Sequence, residues 1–197
     1  MTTTRLTWRR ADATPTDEHC TVTVRANGLS LVGTVLGADA GQPVRIEYRV
    51  LVDGAGFTTA VHVRDLRGFG ARTITLERDA KGSWRVDGAA ARTLKGCSDV
   101  DLGCSPSTNA LPIRRLRLGV GTTKTIRAAW LRFPDLVVEK AEQTYTRLDE
   151  STYRYASASF EGELTVDEDG LVMAHAGWQR TGYALGPDDT EPLDTGR

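Results

Sequence analysis

The sequence predicts a mostly β domain built on one long, curved antiparallel sheet, and three features carry that prediction. Apolar and polar residues alternate along several short segments, as in strands with one buried face. Turns rich in Gly, Asn and Asp separate these segments. Some segments are apolar on both faces. This pattern favours a curved sheet, in which one face lines an interior and the other face packs against a neighbouring element.

The clearest strands lie in the first third of the chain. In residues 44–52, apolar side chains share one face and charged side chains share the other. Residues 20–26 alternate in the same way and lead through Asn27-Gly28 into the apolar residues 29–36. Because Asn-Gly tolerates positive φ at both turn positions, these two segments predict a tight hairpin.

The same pattern returns later in the chain. Residues 72–78 alternate and turn at 79–82, and residues 160–166 alternate and turn at 167–170. Residues 126–133, like 29–36, are apolar on both faces. Short strands joined by glycine-bearing turns indicate antiparallel pairing rather than strand–helix–strand units.

One short helix or irregular turn is expected within residues 105–116. Ser105 is suited to a helix cap and Pro106 to a first helical turn. Pro112 forbids a long uninterrupted helix, because its ring removes a backbone donor and clashes with the preceding turn.

Length and composition bound the class of protein. The 197 residues suit one domain, predicted over residues 1–185, followed by a flexible tail at 186–197. A net charge of −1 argues against nucleic acid as a partner. We find no apolar stretch that could span a membrane and no secretory signal. The odd cysteine count indicates reduced thiols, so we predict a cytoplasmic protein.

The densest cluster of reactive side chains lies in residues 96–109, which hold thiols, carboxylates, hydroxyls and an amide. A metal site is disfavoured, because Cys97 and Cys104 lack the spacing of zinc ribbons and no His lies near in sequence. No thiol-enzyme motif surrounds either cysteine, and a free cysteine is more often a small buried hydrophobe. We therefore predict no metal and no cofactor.

Three interpretations of the polar residues stay open. Asp99 and Asp101 would share one face of a strand and could act as an acid–base pair. Their side chains could instead bond backbone amides and shape a turn. The segment could also form the polar rim of a ligand site with apolar walls. The candidate ligand-binding residues, including two aromatic side chains that could line a pocket, are Asp99, Asp101, Ser105, Asn109, Arg114, Arg115, Trp84 and Trp130.

The segments CSDVDLGCSPSTN at 97–109 and LPIRRL at 111–116 resemble a bacterial family of formerly unknown function described as "putative glycolipid-binding". The flanking segments WRVDG at 84–88, QTYTR at 143–147 and VDEDGL at 166–171 are similar too. The resemblance implies a spiral β-roll, a half-barrel wrapped around a short helical segment and similar to bacterial lipoprotein carriers. It implies no catalytic residues.

We interpret the protein as a non-enzymatic carrier or sensor of a glycolipid or other lipid-like amphipath. Apolar chains would enter the concave face of the sheet, and the polar head would meet residues 99–115. Two alternatives remain. One is an interaction or scaffold domain that pairs exposed sheet edges and could form a homodimer. The other is a hydrolase that uses Asp99 and Asp101.

Overall fold

The computed structural model describes residues 1–10, 15–39, 42–67 and 70–186. The strands run in chain order as β1 Thr2–Arg10, β2 Thr16–Arg25, β3 Gly28–Asp39, β4 Gln42–Asp53, β5 Thr58–Asp65, β6 Arg72–Arg78, β7 Trp84–Val86, β8 Ala89–Ala90, β9 Asp99–Leu102, β10 Thr123–Leu131, β11 Val138–Arg147, β12 Thr152–Ser157, β13 Glu161–Val166, β14 Val172–His175 and β15 Trp178–Leu185. Two short 3₁₀ turns, Arg92–Leu94 and Ser107–Asn109, and one α-helix, α1 (Ala110–Leu116), complete the described elements.

All fifteen strands belong to one sheet, in the order β8-β7-β6-β5-β4-β3-β2-β1-β15-β14-β13-β12-β11-β10-β9. Neighbouring strands are antiparallel except β9 and β10, which are parallel. The sheet therefore consists of two meanders, β1–β8 and β10–β15, which are joined where β1 pairs with β15. The connection from β8 to β9 carries the chain from one edge of the sheet to the other.

The sheet is open but curls until β9 meets β5. The Thr58 N–H donates to the Ser98 carbonyl at 3.2 Å, and the Val100 N–H donates to Thr58 Oγ1 at 3.1 Å. Beyond this contact, the Trp84 indole N–H donates to the Cys97 carbonyl at 3.1 Å, so β6–β8 overlap the segment that leads into β9. The predicted curved antiparallel sheet is confirmed, and its two ends overlap as a spiral.

A helical segment, Ser107–Leu116, fills much of the concave face. Its first three residues, Ser107, Thr108 and Asn109, are polar and buried. Leu111 and Ile113 of α1 are also buried. Ser105 Oγ accepts the Ser107 N–H at 3.0 Å in the turn before the segment, but the N-cap position is occupied by Pro106 and not by Ser105 as the sequence suggested. The short helix expected within residues 105–116 is therefore present and ends at Leu116, after which Arg117 adopts a left-handed conformation.

The expectation of strands covered on both faces holds for β10 but not for β3. Ala128 and Ala129 point to opposite faces of β10, and both are buried. On β3, Val32 and Leu36 are 46% and 51% exposed, so the outer face of this strand meets solvent rather than a neighbour. The predicted flexible tail, apart from Gly186, lies outside the described residues. In the ranges that the structure describes, no helix has the length and apolar character needed to cross a bilayer.

Candidate ligand-binding site

A cavity of about 960 Å³ opens at one end of the roll. It lies where the β2–β3, β4–β5 and β13–β14 turns meet the last turn of α1 and the β11–β12 turn. Its volume is within the range of pockets that hold small organic ligands, roughly 300–1,000 Å³.

One wall of the cavity is apolar because the inward faces of three strands reach it in register. Val24, Leu29 and Val52 are successive cross-strand partners on β2, β3 and β4, and all three line the cavity. Each is only half-buried, so this row keeps apolar surface open to the cavity. The remaining apolar lining comes from α1 and the opposite half of the sheet, as Leu111, Ile113, Tyr153 and Val166.

The rest of the lining is strongly polar and carries both signs of charge. Guanidinium groups come from the β2–β3 turn, the end of α1 and the end of β11, as Arg25, Arg114, Arg115, Arg117 and Arg147. Carboxylates come from three turns of the sheet, as Asp53, Glu150, Asp167, Glu168 and Asp169. An apolar wall beside a charged mouth is suited to an amphipathic ligand.

Arg115 is fixed in this wall by a buried ion pair with Asp99. Arg115 Nη2 donates to Asp99 Oδ2 at 2.5 Å and Nε donates to Oδ1 at 3.2 Å. Ser98 Oγ donates to the same carboxylate at 2.6 Å. The Arg115 guanidinium lies 5.2 Å from the centroid of the Phe57 ring. The Asp99 carboxylate is therefore hydrogen-bonded to Arg115 and Ser98 and does not line the cavity. It affects the cavity only by positioning Arg115.

Asp101 points toward a different interior network. Gln143 Nε2 donates to Asp101 Oδ2 at 2.5 Å, and the single Tyr145 O–H has two acceptors within reach, Asn109 Oδ1 at 3.0 Å and Gln143 Oε1 at 3.3 Å. Burial raises the pKa of Asp101 to about 6, against the lowering effect of the Gln143 and Thr108 hydrogen bonds. This network ties β9 and β11 to the helical segment, and its members do not line the cavity.

Ser105 belongs to a third cluster around Glu18, a residue that the sequence analysis did not single out. The Ser105 hydroxyl donates to Glu18 Oε1 at 2.7 Å, and the Tyr48 hydroxyl donates to the same oxygen. Ser107 Oγ lies 2.8 Å from the Tyr48 hydroxyl. Glu18 Oε2 is buried and has no hydrogen-bond partner in the described part of the chain, and burial raises the pKa of Glu18 to about 7.

A sequence signal for Glu18 was available. Glu18, Cys20 and Val22 are alternate residues of β2, so their side chains point to the same face. Glu18 is therefore a carboxylate on an apolar face. The arginines of the cavity had no comparable signal, since Arg25 and Arg147 lie far from the 97–116 segment in sequence.

The two tryptophans support structure rather than the cavity. Trp84 is buried and bonds the Cys97 carbonyl. Trp130 is half-buried, with the Arg132 guanidinium 6.0 Å from its ring centroid. Of the eight candidate residues, only Arg114 and Arg115 line the cavity. In the described part of the chain, no group of His, Cys, Asp or Glu side chains is arranged to hold a metal ion.

An open sheet curled around a helical segment defines a spiral β-roll protein with a ligand-sized cavity at one end. The model of the family described as "Putative glycolipid-binding" matches residues 5–180, and the chain belongs to that family. The crystal structure of a DUF1089 family protein from Pseudomonas aeruginosa is similar, with 32% sequence identity and a TM-score of 0.74. That likeness covers 85% of this chain and 92% of the other. Among curated proteins, none matches the chain.

Proposed function

We propose that the protein binds a glycolipid or a similar amphipath in the cavity at the end of the roll and acts as its carrier or sensor. This proposal rests on one observation. A single cavity of about 960 Å³ is lined on one side by the apolar row Val24, Leu29 and Val52 and elsewhere by charged side chains. The family description agrees with a ligand of this class.

The filled concave face limits how much of a lipid can enter. The segment Ser107–Leu116 occupies the interior that an acyl chain would need, with Leu111 and Ile113 packed against the sheet. The ligand would therefore place its polar head and the first part of its apolar chain in the cavity, along Val24, Leu29 and Val52. Each methylene buried there contributes about 0.8 kcal/mol.

The other two functions have less support in the geometry. Asp99 is paired with Arg115 and Asp101 with Gln143, and neither carboxylate lines this cavity, so a substrate bound there would not meet the proposed acid–base pair. For a scaffold domain, the exposed edge β8 has two residues and β9 is bonded to Thr58, so both edges offer little for pairing. A homodimer and a cytoplasmic location remain predictions from the sequence.

The test is lipid retention after gentle purification, measured by native mass spectrometry and by extraction with organic solvent. We expect a bound amphipath that raises the mass of the native protein and is released on unfolding. A variant that introduces charge into the apolar row, Leu29→Glu, is expected to lose the ligand.

The matched control is Leu36→Glu on the same strand. Leu36 lies on the outer face of β3 and is 51% exposed, so this variant should retain the ligand at the wild-type level. Equal retention by Leu29→Glu and Leu36→Glu would show that the ligand does not occupy this cavity, and a wild-type protein that never binds an added octyl amphipath would refute the proposed function.

A further inference from the structure

Two arginines in the cavity wall are half-buried and have no carboxylate partner among the residues that the structure describes. Arg147 donates to three backbone carbonyls, at 3.0 Å to Asp149, 2.8 Å to Leu118 and 2.7 Å to Glu150. Arg114 donates through Nη1 to the Asp169 carbonyl. A guanidinium has five N–H donors, so Arg114 keeps most of its hydrogen-bonding capacity free.

The carboxylates of the lining do not neutralise these two charges. Asp167 is paired with Arg180, which lies outside the cavity, at 2.6 Å. Asp53 Oδ1 accepts two backbone N–H groups of its own turn, from Ala55 and Phe57. The other three acidic residues of the lining, Glu150, Glu168 and Asp169, are exposed and are called the rim; they form no ion pair with a described arginine.

Arg114 and Arg147 are therefore less exposed than three of the unpaired carboxylates of the lining, Glu150, Glu168 and Asp169. The unpaired carboxylates of Glu150, Glu168 and Asp169 face solvent, where water screens them, and the half-buried Asp53 carboxylate is held by backbone N–H groups of its own turn. Arg114 and Arg147 are partly withdrawn from water, where an uncompensated charge is costly and attracts an anion. Carbonyl oxygens orient the two guanidinium groups and stabilise them by hydrogen bonds, but they carry no formal charge, so each guanidinium keeps its net positive charge.

We propose that the part of the cavity lined by Arg114 and Arg147 is a subsite for an oxyanion, and that the amphipath bound here carries a phosphate or a similar anionic group on its head. This inference rests on the proposed function for the ligand as a whole. The planar guanidinium presents parallel N–H donors that match two oxygens of a phosphate. The exposed carboxylates of the rim would then accept hydrogen bonds from hydroxyl groups farther out on the same head.

The test compares two ligands that share one chain and differ in the head: octyl phosphate and octyl glucoside. Affinities are measured by isothermal titration calorimetry at low ionic strength, with inorganic phosphate as a third ligand. We expect the wild-type protein to bind octyl phosphate at least about tenfold more tightly than octyl glucoside, since charge-assisted hydrogen bonds are stronger than neutral ones.

The variant is Arg114→Gln. Arg147 is left unchanged, because its side chain donates to three backbone carbonyls and replacing it would disturb the turn. Arg114→Gln should weaken octyl phosphate about tenfold and leave octyl glucoside within about twofold. The matched control is Arg85→Gln, because Arg85 also donates to one backbone carbonyl, that of Gly88 at 2.9 Å, but lies outside the cavity. It should change neither affinity.

The outcomes separate the two proposals. Equal affinity for octyl phosphate and octyl glucoside would overturn the oxyanion subsite and leave amphipath binding intact. Binding of inorganic phosphate that depends on Arg114, with neither octyl ligand bound, would support the subsite and refute the amphipath. Binding of none of the three ligands would refute both.

Discussion

Asp99 and Arg115 face each other as a bidentate ion pair that joins β9 to the last turn of α1. Their side chains are 1% and 13% exposed, so both charges are largely withdrawn from water. The pair connects the edge of the sheet with the helical segment inside it, and it sets the position of one guanidinium in the cavity wall.

Replacing Asp99 with Asn should destabilise the fold, because Arg115 would keep its buried charge without a counter-ion. We expect a loss of about 3 kcal/mol in the free energy of unfolding, measured by urea denaturation. The double variant Asp99→Leu/Arg115→Leu should recover much of that loss, since it removes both charges. A loss below about 1 kcal/mol for Asp99→Asn would mean that the pair is open to solvent.

Stability should depend on pH through Glu18, whose pKa is raised to about 7 by burial. Below about pH 4.5, folded and unfolded chains both hold the proton. Between about pH 4.5 and 7 only the folded chain holds it, so the free energy of unfolding falls as pH rises, by about 3 kcal/mol in total. Denaturation midpoints measured from pH 4.5 to 8 should show this decline.

The variant Glu18→Gln isolates this contribution, since Gln does not titrate. Its stability should vary less over the same pH range. Asp101, whose pKa is raised to about 6, still contributes a decline at the acidic end, and His175, whose pKa is lowered by burial, contributes in the opposite direction. A pH profile of Glu18→Gln that is parallel to that of the wild type would contradict the assignment.

Gly33 should not tolerate a side chain. It pairs with Tyr48 across β3 and β4, and a Cβ at Gly33 would lie 2.3 Å from the Tyr48 hydroxyl oxygen. Gly33→Ala must displace the ring from Glu18, and we expect a loss of about 2 kcal/mol by urea denaturation. Gly119→Ala is the control, because the nearest atom to its Cβ would be Thr122 Cγ2 at 3.8 Å. Equal stability of the two variants would place the Tyr48 ring elsewhere.

The three thiols should be unreactive in the folded protein. Cys20 and Cys97 are buried and Cys104 is half-buried, and burial raises the pKa of all three, that of Cys97 to about 11. At pH 8, a chromogenic disulfide reagent should react with the folded chain on the order of a hundredfold more slowly than with the chain in urea, because little thiolate is present. Rapid labelling of one thiol would identify an accessible cysteine, and Cys104→Ser would show whether it is the half-buried one.

The strands and their turns follow from local sequence. The alternation in residues 44–52 lies within β4, and Pro112 lies in a helix that ends four residues later. The predicted β2–β3 hairpin is present, but its two turn residues are Ala26 and Asn27, since Arg25 pairs with Gly28 and only Gly28 of the predicted Asn27-Gly28 pair has a positive φ. These features are local because strand period, turn conformation and helix breaking each depend on a few adjacent residues. The family was also recognisable from the residues at 97–116, and the family match confirms it.

The candidate site was less predictable. The sequence pointed to the 97–116 segment, and tertiary structure divided its polar residues among an ion pair, two buried networks and one cavity. Asp99 and Asp101 share a face of β9, as their spacing predicts, yet they meet different partners because the helical segment passes across that face.

By itself, the sequence determined the class of the fold, the hairpins, the short helix and the family, because those depend on local periodicity and on a contiguous motif. Only the tertiary structure decided that the concave face is largely filled by the chain's own helical segment, that β9 closes against β5, and that the cavity lies at the end of the roll. The physical reason is that Arg25, Arg114 and Arg147 come together only when a sheet of fifteen strands curls, and that curvature is the sum of many pairings rather than a property of any one segment.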